Sequence, residues 1–311
     1  MNYWKALRLS FFCWLLVCAQ AFGQAKSVPE RLGYPANTKL LIVHGDDLAV
    51  AHSVDTASFD ALEKGAITSA SIMVPCPWLT EVADYAHSHP EADLGLHLTL
   101  TSEWKSYRWG PVASSNQVTT LLNPSGMFWD TTPAVAAHAK PDEAEREIRA
   151  QLERALAWGI HPTHLDTHMG SVRATPEIFD AYVKVAHDYH LPFLALKAAA
   201  PNPRLSSAIS DKDILLDAVV IAAAGLPASE WKNFYRNAIS SLKPGLTEMI
   251  VHLGHDDAEL EAVMGISNDY GAAWRQRDYD FVTGWDFKKA LEENHVVLVK
   301  WKDLEKVLDQ R

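Results

Sequence analysis

The stretch LLIVHGDDLAV, residues 40–50, decides how this chain is read. Four aliphatic residues, 40–43, make a short buried strand that stops abruptly on His44, Gly45, Asp46 and Asp47. A strand that is apolar along its length and titratable at its carboxyl end is what a parallel α/β sheet offers, because such sheets keep their sites at that edge. A plainer role stays open for either aspartate, as the cap of a following turn or helix.

The same alternation continues along the chain. Short aliphatic runs at 67–74, 93–99, 163–166, 192–196, 248–253 and 296–301 are separated by amphipathic stretches at 54–64, 79–89, 141–158, 175–190, 228–242 and 287–294. Strand, helix, strand, helix predicts a parallel sheet covered by helices. The expectation is an α/β fold of one domain, a (β/α) barrel-like arrangement of seven or eight mostly parallel strands, with a doubly wound open sheet as the alternative. The helix at 141–158 is the best marked: it opens KPDEAEREI, with Pro141 early, Asp142, Glu143 and Glu145 in its first turns, and a stripe of Ile148, Leu152 and Leu156. Two stretches interrupt the pattern, residues 101–140 and residues 255–286 with the polar run RQRDYD, and long insertions after strands are where barrels carry substrate loops.

Composition sets the surroundings. The 311 residues are 48% hydrophobic and 22% charged, enough for one large core. Residues 1–25 stand apart: Lys5 and Arg8 precede an apolar run from Phe11 to Val17, and small residues follow at Ala19, Ala21, Gly23 and Ala25. That is a secretory signal peptide, leaving residues 26–311 as the mature domain, exported to a periplasm or secreted. The rival is a membrane anchor, and the apolar run of about 12 residues falls short of the roughly 20 needed to span a bilayer; lipid attachment at Cys18 would want a smaller residue than Val17 before it. No stable membrane insertion is expected once the leader is gone. Its loss moves the formal charge from −11 to −13, and with no basic stripe a nucleic acid partner is not expected. Cys76 is then the single cysteine of residues 26–311, and between Pro75 and Pro77 it reads as a small buried thiol. A homodimer is left open.

Three further stretches carry chemistry. In DLGLHLTLT, residues 93–101, leucines at 94, 96, 98 and 100 set one face and Gly95, His97 and Thr99 the other; His97 alone is as well read as a satisfied core histidine. In HPTHLDTHMGS, residues 161–171, His164, Asp166 and His168 are spaced by two and project to one side of an extended chain. In EMIVHLGHDD, residues 248–257, a strand again ends on histidine, at His252. Four strand ends bearing His or Asp meet only at one rim of a barrel. Two imidazole nitrogens and a carboxylate oxygen make a facial set for a divalent cation, which suits a hydrolase in which a free carboxylate acts as base and a histidine as acid.

Residues 40–74, together with LGLHLTLT, PTHLDTH and, more loosely, MIVHLG, resemble the YdjC-like carbohydrate deacetylases of the ChbG/HpnK group, in the same order over most of residues 39–255. The resemblance implies a metal-dependent hydrolase that removes acetyl groups from N-acetylated sugars, with one divalent ion, Mg²⁺ or Zn²⁺, held by Asp47, His97 and His168. It further implies Asp46 as general base, His252 as acid, His164 and Asp166 as groups that orient the ligands, and Lys197 as a substrate contact. The flanks differ: where the family usually reads Asn-Ala-Asp-Asp-Phe-Gly this chain has His44, Gly45, Asp46, Asp47, Leu48, Ala49, and its His-Pro-Gly is His252, Leu253, Gly254 here. Eleven tryptophans, including Trp104 in the first insertion, offer faces on which sugar rings stack, and Trp104 is a second candidate substrate contact. Two other functions share these features: another metal hydrolase on the same architecture, acting on a phosphoester or cyclic amide, and a glycan-binding protein without catalysis.

Overall fold

The two-residue period of a strand sorts the first motif into an inside and an outside. In β1, Lys39–Leu48, the even positions Leu40, Ile42, His44 and Asp46 share one face. Leu40 and Ile42 pack with Leu246, Leu216, Val299 and Trp301, whereas Leu41 and Val43 join the larger core beneath the helices. The inner face is therefore apolar at the amino end and polar from His44 onward. The other strands repeat the division: Ser69 and Ser71 in β2, Ser69–Ile72; His97 in β3, Leu94–Leu98; Asp166 in β4, Leu165–Thr167; and Glu248 in β6, Gly245–Val251, are all buried polar residues.

The computed structural model describes residues 26–197, 208–265 and 269–308; the leader expected at residues 1–25 lies outside the described residues. Seven parallel strands run in the order β4-β3-β2-β1-β6-β5, with β5 spanning Ala218–Ile221 and β7, Val296–Leu298, pairing the amino end of β1. The sheet curves into a partial barrel, and among the described residues the arc between β4 and β5 carries only the single bridges Leu165 to Phe193 and Leu196 to Leu216. This is the single-domain α/β barrel-like fold expected, incompletely closed. No helix among the described residues is long and apolar enough to cross a membrane.

The six amphipathic stretches expected all form helices, and among the described residues five further helices join them. After the short α1, Val28–Arg31, come α2, His52–Glu63, and α3, Leu79–Ser88; then α4, Thr132–His138, α5, Pro141–Ala157, and α6, Pro176–Asp188. The second half adds α7, Trp231–Ser241, α8, Ala258–Met264, α9, Ala272–Val282, α10, Trp285–Glu293, and α11, Trp301–Leu308.

Four details differ from the sequence expectation. β1 does not end at Val43: His44, Gly45 and Leu48 still pair with β2, so the polar residues belong to the strand. The strand expected at 192–196 is reduced to its two bridges. The polar run of residues 275–280 is not loop but the body of α9, with Arg275 and Asp278 buried. Finally, Trp301 opens a helix instead of closing a strand.

Candidate active site

Asp46 and Asp47 cannot both face inward from a regular strand, since neighbours alternate. The register between β1 and β2 shifts between Gly45 and Leu48, and Asp47 takes a left-handed backbone with φ 73°. This bulge turns the second carboxylate back toward the interior, so both adjacent acids meet the histidines. Asp47 Oδ1 lies 3.3 Å from His97 Nε2 and 3.3 Å from His168 Nδ1. Asp46 Oδ2 lies 3.6 Å from His97 Nε2 and 3.8 Å from His252 Nε2.

The donor atoms of Asp47, His97 and His168 fall within 4.8 Å of one another, and all three residues are buried. Although both ring nitrogens are 3.3 Å from it, Asp47 Oδ1 accepts no well-aligned hydrogen bond. Two nitrogens and one oxygen thus share one buried space without a well-aligned hydrogen bond between them. That is the geometry of a cation's facial ligands, and the donor set of two imidazoles and one carboxylate fits a divalent ion. Beside it, Asp46 Oδ1 is also buried without a hydrogen bond.

Each of the three is oriented from behind. His97 donates from Nδ1 to Asp166 Oδ1 at 2.8 Å, which leaves Nε2 for the centre. His168 donates from Nε2 to Glu103 Oε2 at 3.0 Å and presents Nδ1. Asp47 Oδ2 takes the guanidinium of Arg275 at 2.6 Å, a contact between side chains 2% and 3% exposed. Arg275 reaches so close because Gly254, after β6, has no side chain: a Cβ there would lie 2.7 Å from Leu260 and 3.1 Å from Arg275 Cβ.

The electrostatics divide the two aspartates. Burial would raise Asp47, but the Arg275 charge, with His168 and His97, outweighs it and holds the carboxyl well below the usual range. Burial does raise Asp46, to about 6, with Asp166 and Asp47 adding to it against His97 and His44. Asp46 is thus poised near neutrality while Asp47 stays ionised. His252, whose ring edge meets Tyr270 and whose backbone N–H donates to Asp278 Oδ2, is pressed down to about 3 by burial first, then by the Arg275, His97 and His168 charges. It rests neutral in the site.

Of the other residues singled out by sequence, Asp166 touches His97 on one oxygen and lies 2.9 Å from His44 Nε2 on the other. His164 touches none of the three: it stacks on Trp301 with ring centroids 4.9 Å apart and fills the space left by Gly95, where a Cβ would lie 2.4 Å from its ring. Lys197 is not at this rim. It pairs with Asp217, whose other oxygen accepts from the Leu246 backbone at the amino end of β6. Trp104 is half-buried beside Tyr107 and Trp109, and Trp109 in turn lies edge-on to His168 at 6.0 Å. Asp257 caps α8 and accepts from Ser53. Glu103 and Arg275 went unnoticed in the sequence because neither sits in a strand-end motif; the only cue was that both fall in the two insertions.

A partial parallel barrel whose rim gathers two histidines and two aspartates is the class of hydrolase scaffold the sequence pointed to. Within it the chain belongs to the YdjC-like protein family, whose model matches residues 40–293. It is 30% identical over 272 residues to a carbohydrate deacetylase of Thermus thermophilus, covering 86% of this chain and 94% of that protein. It is 28% identical over 157 residues to a chitooligosaccharide deacetylase of Yersinia enterocolitica, covering 50% of this chain and 58% of that one. A crystal structure of a putative cellobiose-phosphate cleavage protein from Enterococcus faecalis shares the fold, with TM-score 0.72 and 21% identity over 86% of this chain and 99% of that chain.

Proposed function

We propose that this protein is a metal-dependent carbohydrate deacetylase that hydrolyses the acetamide of N-acetylated sugars or oligosaccharides. The observation that carries this reading is that the donor atoms of Asp47, His97 and His168 lie within 4.8 Å of one another in the buried rim, with the carboxylate of Asp46 beside them. A divalent ion bound there supplies Lewis-acid polarisation of the acetyl carbonyl and acidifies the attacking water. Asp46, raised to about 6, takes the proton of that water. The proton that Asp46 takes is the one the departing amine must receive, and His252, neutral at rest and 3.8 Å from Asp46, stands beside that path as the candidate acid. Asp166 keeps His97 in one tautomer and Arg275 keeps Asp47 charged. Trp104, half-buried in the first insertion, offers a face on which a sugar ring can stack, and Trp109, buried behind it, lies edge-on to His168.

The reading of residues 1–25 as a leader makes this an exported enzyme, tested by amino-terminal sequencing of the protein recovered outside the cytoplasm. Activity is tested by acetate release from N-acetylated mono- and oligosaccharides by residues 26–311. Release that stops with chelator and returns with Zn²⁺ or Mg²⁺ is the expected result. A folded protein that takes up metal and releases no acetate from any sugar shifts the reading to another hydrolase or a glycan binder.

A further inference from the structure

We propose that Glu103 is a positioning residue for the metal site, through which the insertion following β3 sets the tautomer of His168. The inference rests on the metal reading above. His168 lies just past β4, and the chain turns immediately after it at Met169 and Gly170, with φ 53° and 67°. Strand pairing therefore does not fix its ring. A neutral imidazole carries one hydrogen, on either nitrogen, and the partner of the outer nitrogen decides which. Glu103 Oε2, at 3.0 Å, accepts from Nε2 and so leaves the Nδ1 lone pair facing the centre. Without Glu103, the hydrogen on Nδ1 would be aimed at Asp47 Oδ1, 3.3 Å away, and that nitrogen would no longer be a ligand.

His97 gets the same service from Asp166, but Asp166 stands on a neighbouring paired strand, with Leu96 opposite Leu165. Glu103 instead stands on a loop, and the loop is built to hold it. Ser102 N donates to Trp129 O at 2.7 Å, Trp109 N donates to Ser102 Oγ at 3.1 Å, and Trp109 Nε1 donates to Thr101 O at 2.7 Å. The two residues before Glu103 are thereby locked to Trp109 and Trp129. Further out, Glu143 of α5 accepts from Thr120 N and Glu147 from Val112 N and Ala113 N, anchoring the rest of the loop without touching His168. The loop that carries Trp104 and Trp109 thus also carries the carboxylate that orients His168.

The test is calorimetric titration of Zn²⁺ into metal-stripped residues 26–311, with ¹⁵N spectra of the His168 imidazole taken above pH 9, where the ring, held up at about 9 against burial by Glu103 and Asp47, is neutral. Glu103→Ala should weaken zinc binding by about 10- to 100-fold, the usual loss for a partner of a metal-bound histidine, and should shift the His168 hydrogen off Nε2. Glu103→Gln, whose amide oxygen still accepts from Nε2, should restore the tautomer and most of the affinity. Glu143→Gln, which loosens the loop elsewhere, should leave both unchanged. Glu103→Ala with wild-type affinity and tautomer overturns the proposal, as does Glu143→Gln weakening zinc equally. Failure of the wild type to take up zinc overturns the metal reading instead, and the imidazole spectra still decide whether Glu103 sets the tautomer.

Discussion

In the proposed reaction two adjacent aspartates take different roles, and one backbone angle brings both to the same centre. Asp46 keeps the inward face given by the strand period, and Asp47 is brought to the same centre by a left-handed residue in a bulge. A non-glycine residue in that region costs about 1–3 kcal/mol, and such strain gathers at functional sites. The division predicts separable losses. Asp46→Asn keeps the shape and removes the base, so kcat should fall by about 10²- to 10⁴-fold while zinc affinity by calorimetry stays close to wild type. If Asp46→Asn instead abolished zinc binding, Asp46 would be a ligand and the roles of the pair would have to be exchanged. Cys76 offers a second check at this scale. It is buried and free, and its thiol is pushed well above the ordinary range by burial and then by Asp47, Glu103 and Asp55. Native residues 26–311 should therefore resist a thiol reagent at pH 8, and unfolded protein should react.

At the scale of elements, α9 joins the second insertion to the site through Arg275. Breaking a buried ion pair by removing one partner leaves an uncompensated charge and typically costs about 3–5 kcal/mol. Arg275→Met should therefore destabilise the metal-free protein by that order in urea denaturation, and Arg275→Met with Asp47→Leu should recover part of the loss. An additive double variant would mean that the 2.6 Å contact contributes nothing of its own. The same helix shows where sequence reading ran out. Strand ends bearing His44, His97, Asp166 and His252 were legible because hydrophobic alternation announced the strands and the titratable residues broke it. RQRDYD carries no apolar stripe, since its inward residues are Arg275 and Asp278, and a helix that buries charge looks like a loop. β5 escaped for the opposite reason: half-exposed along its length, Ala218–Ile221 shows no alternation. The contacts of Glu103 and Lys197 depend on how far loops travel, and no local pattern encodes that.

Across the whole molecule the inside of the barrel is polar for much of its height, and this ties stability to pH. Glu248, on the inner face of β6, accepts from Trp301 Nε1 of α11 at 2.7 Å and lies 3.8 Å from His44 Nδ1. Burial raises it to about 7, with His44 opposing and Asp166 adding. His44 is raised to about 9 despite burial, by Asp166, Glu248 and Asp46. The signs follow from linkage. Glu248 binds its proton more tightly folded than unfolded, so its stabilising effect is full below about 4.5 and is lost as pH rises through 7. His44 contributes stability that is full below 6.5 and is lost as pH rises through 9. Both slopes run the same way, so these two groups together lower the stability of the metal-free protein from pH 5 to pH 9, against His252, which at about 3 adds stability as pH rises to 6.5. One raised carboxylate of this kind is worth about 3 kcal/mol across its window. Glu248→Gln keeps an acceptor for Trp301 and removes the titration, so its unfolding free energy should be flatter between pH 5 and 7, whereas the decline above pH 7 should persist. Urea denaturation of wild type and variant at half-unit pH steps reads this directly. Parallel curves from pH 5 to 7 would mean that Glu248 is ionised throughout, paired with a charged His44, and that the floor of the barrel is held by an ion pair and not by a shared proton.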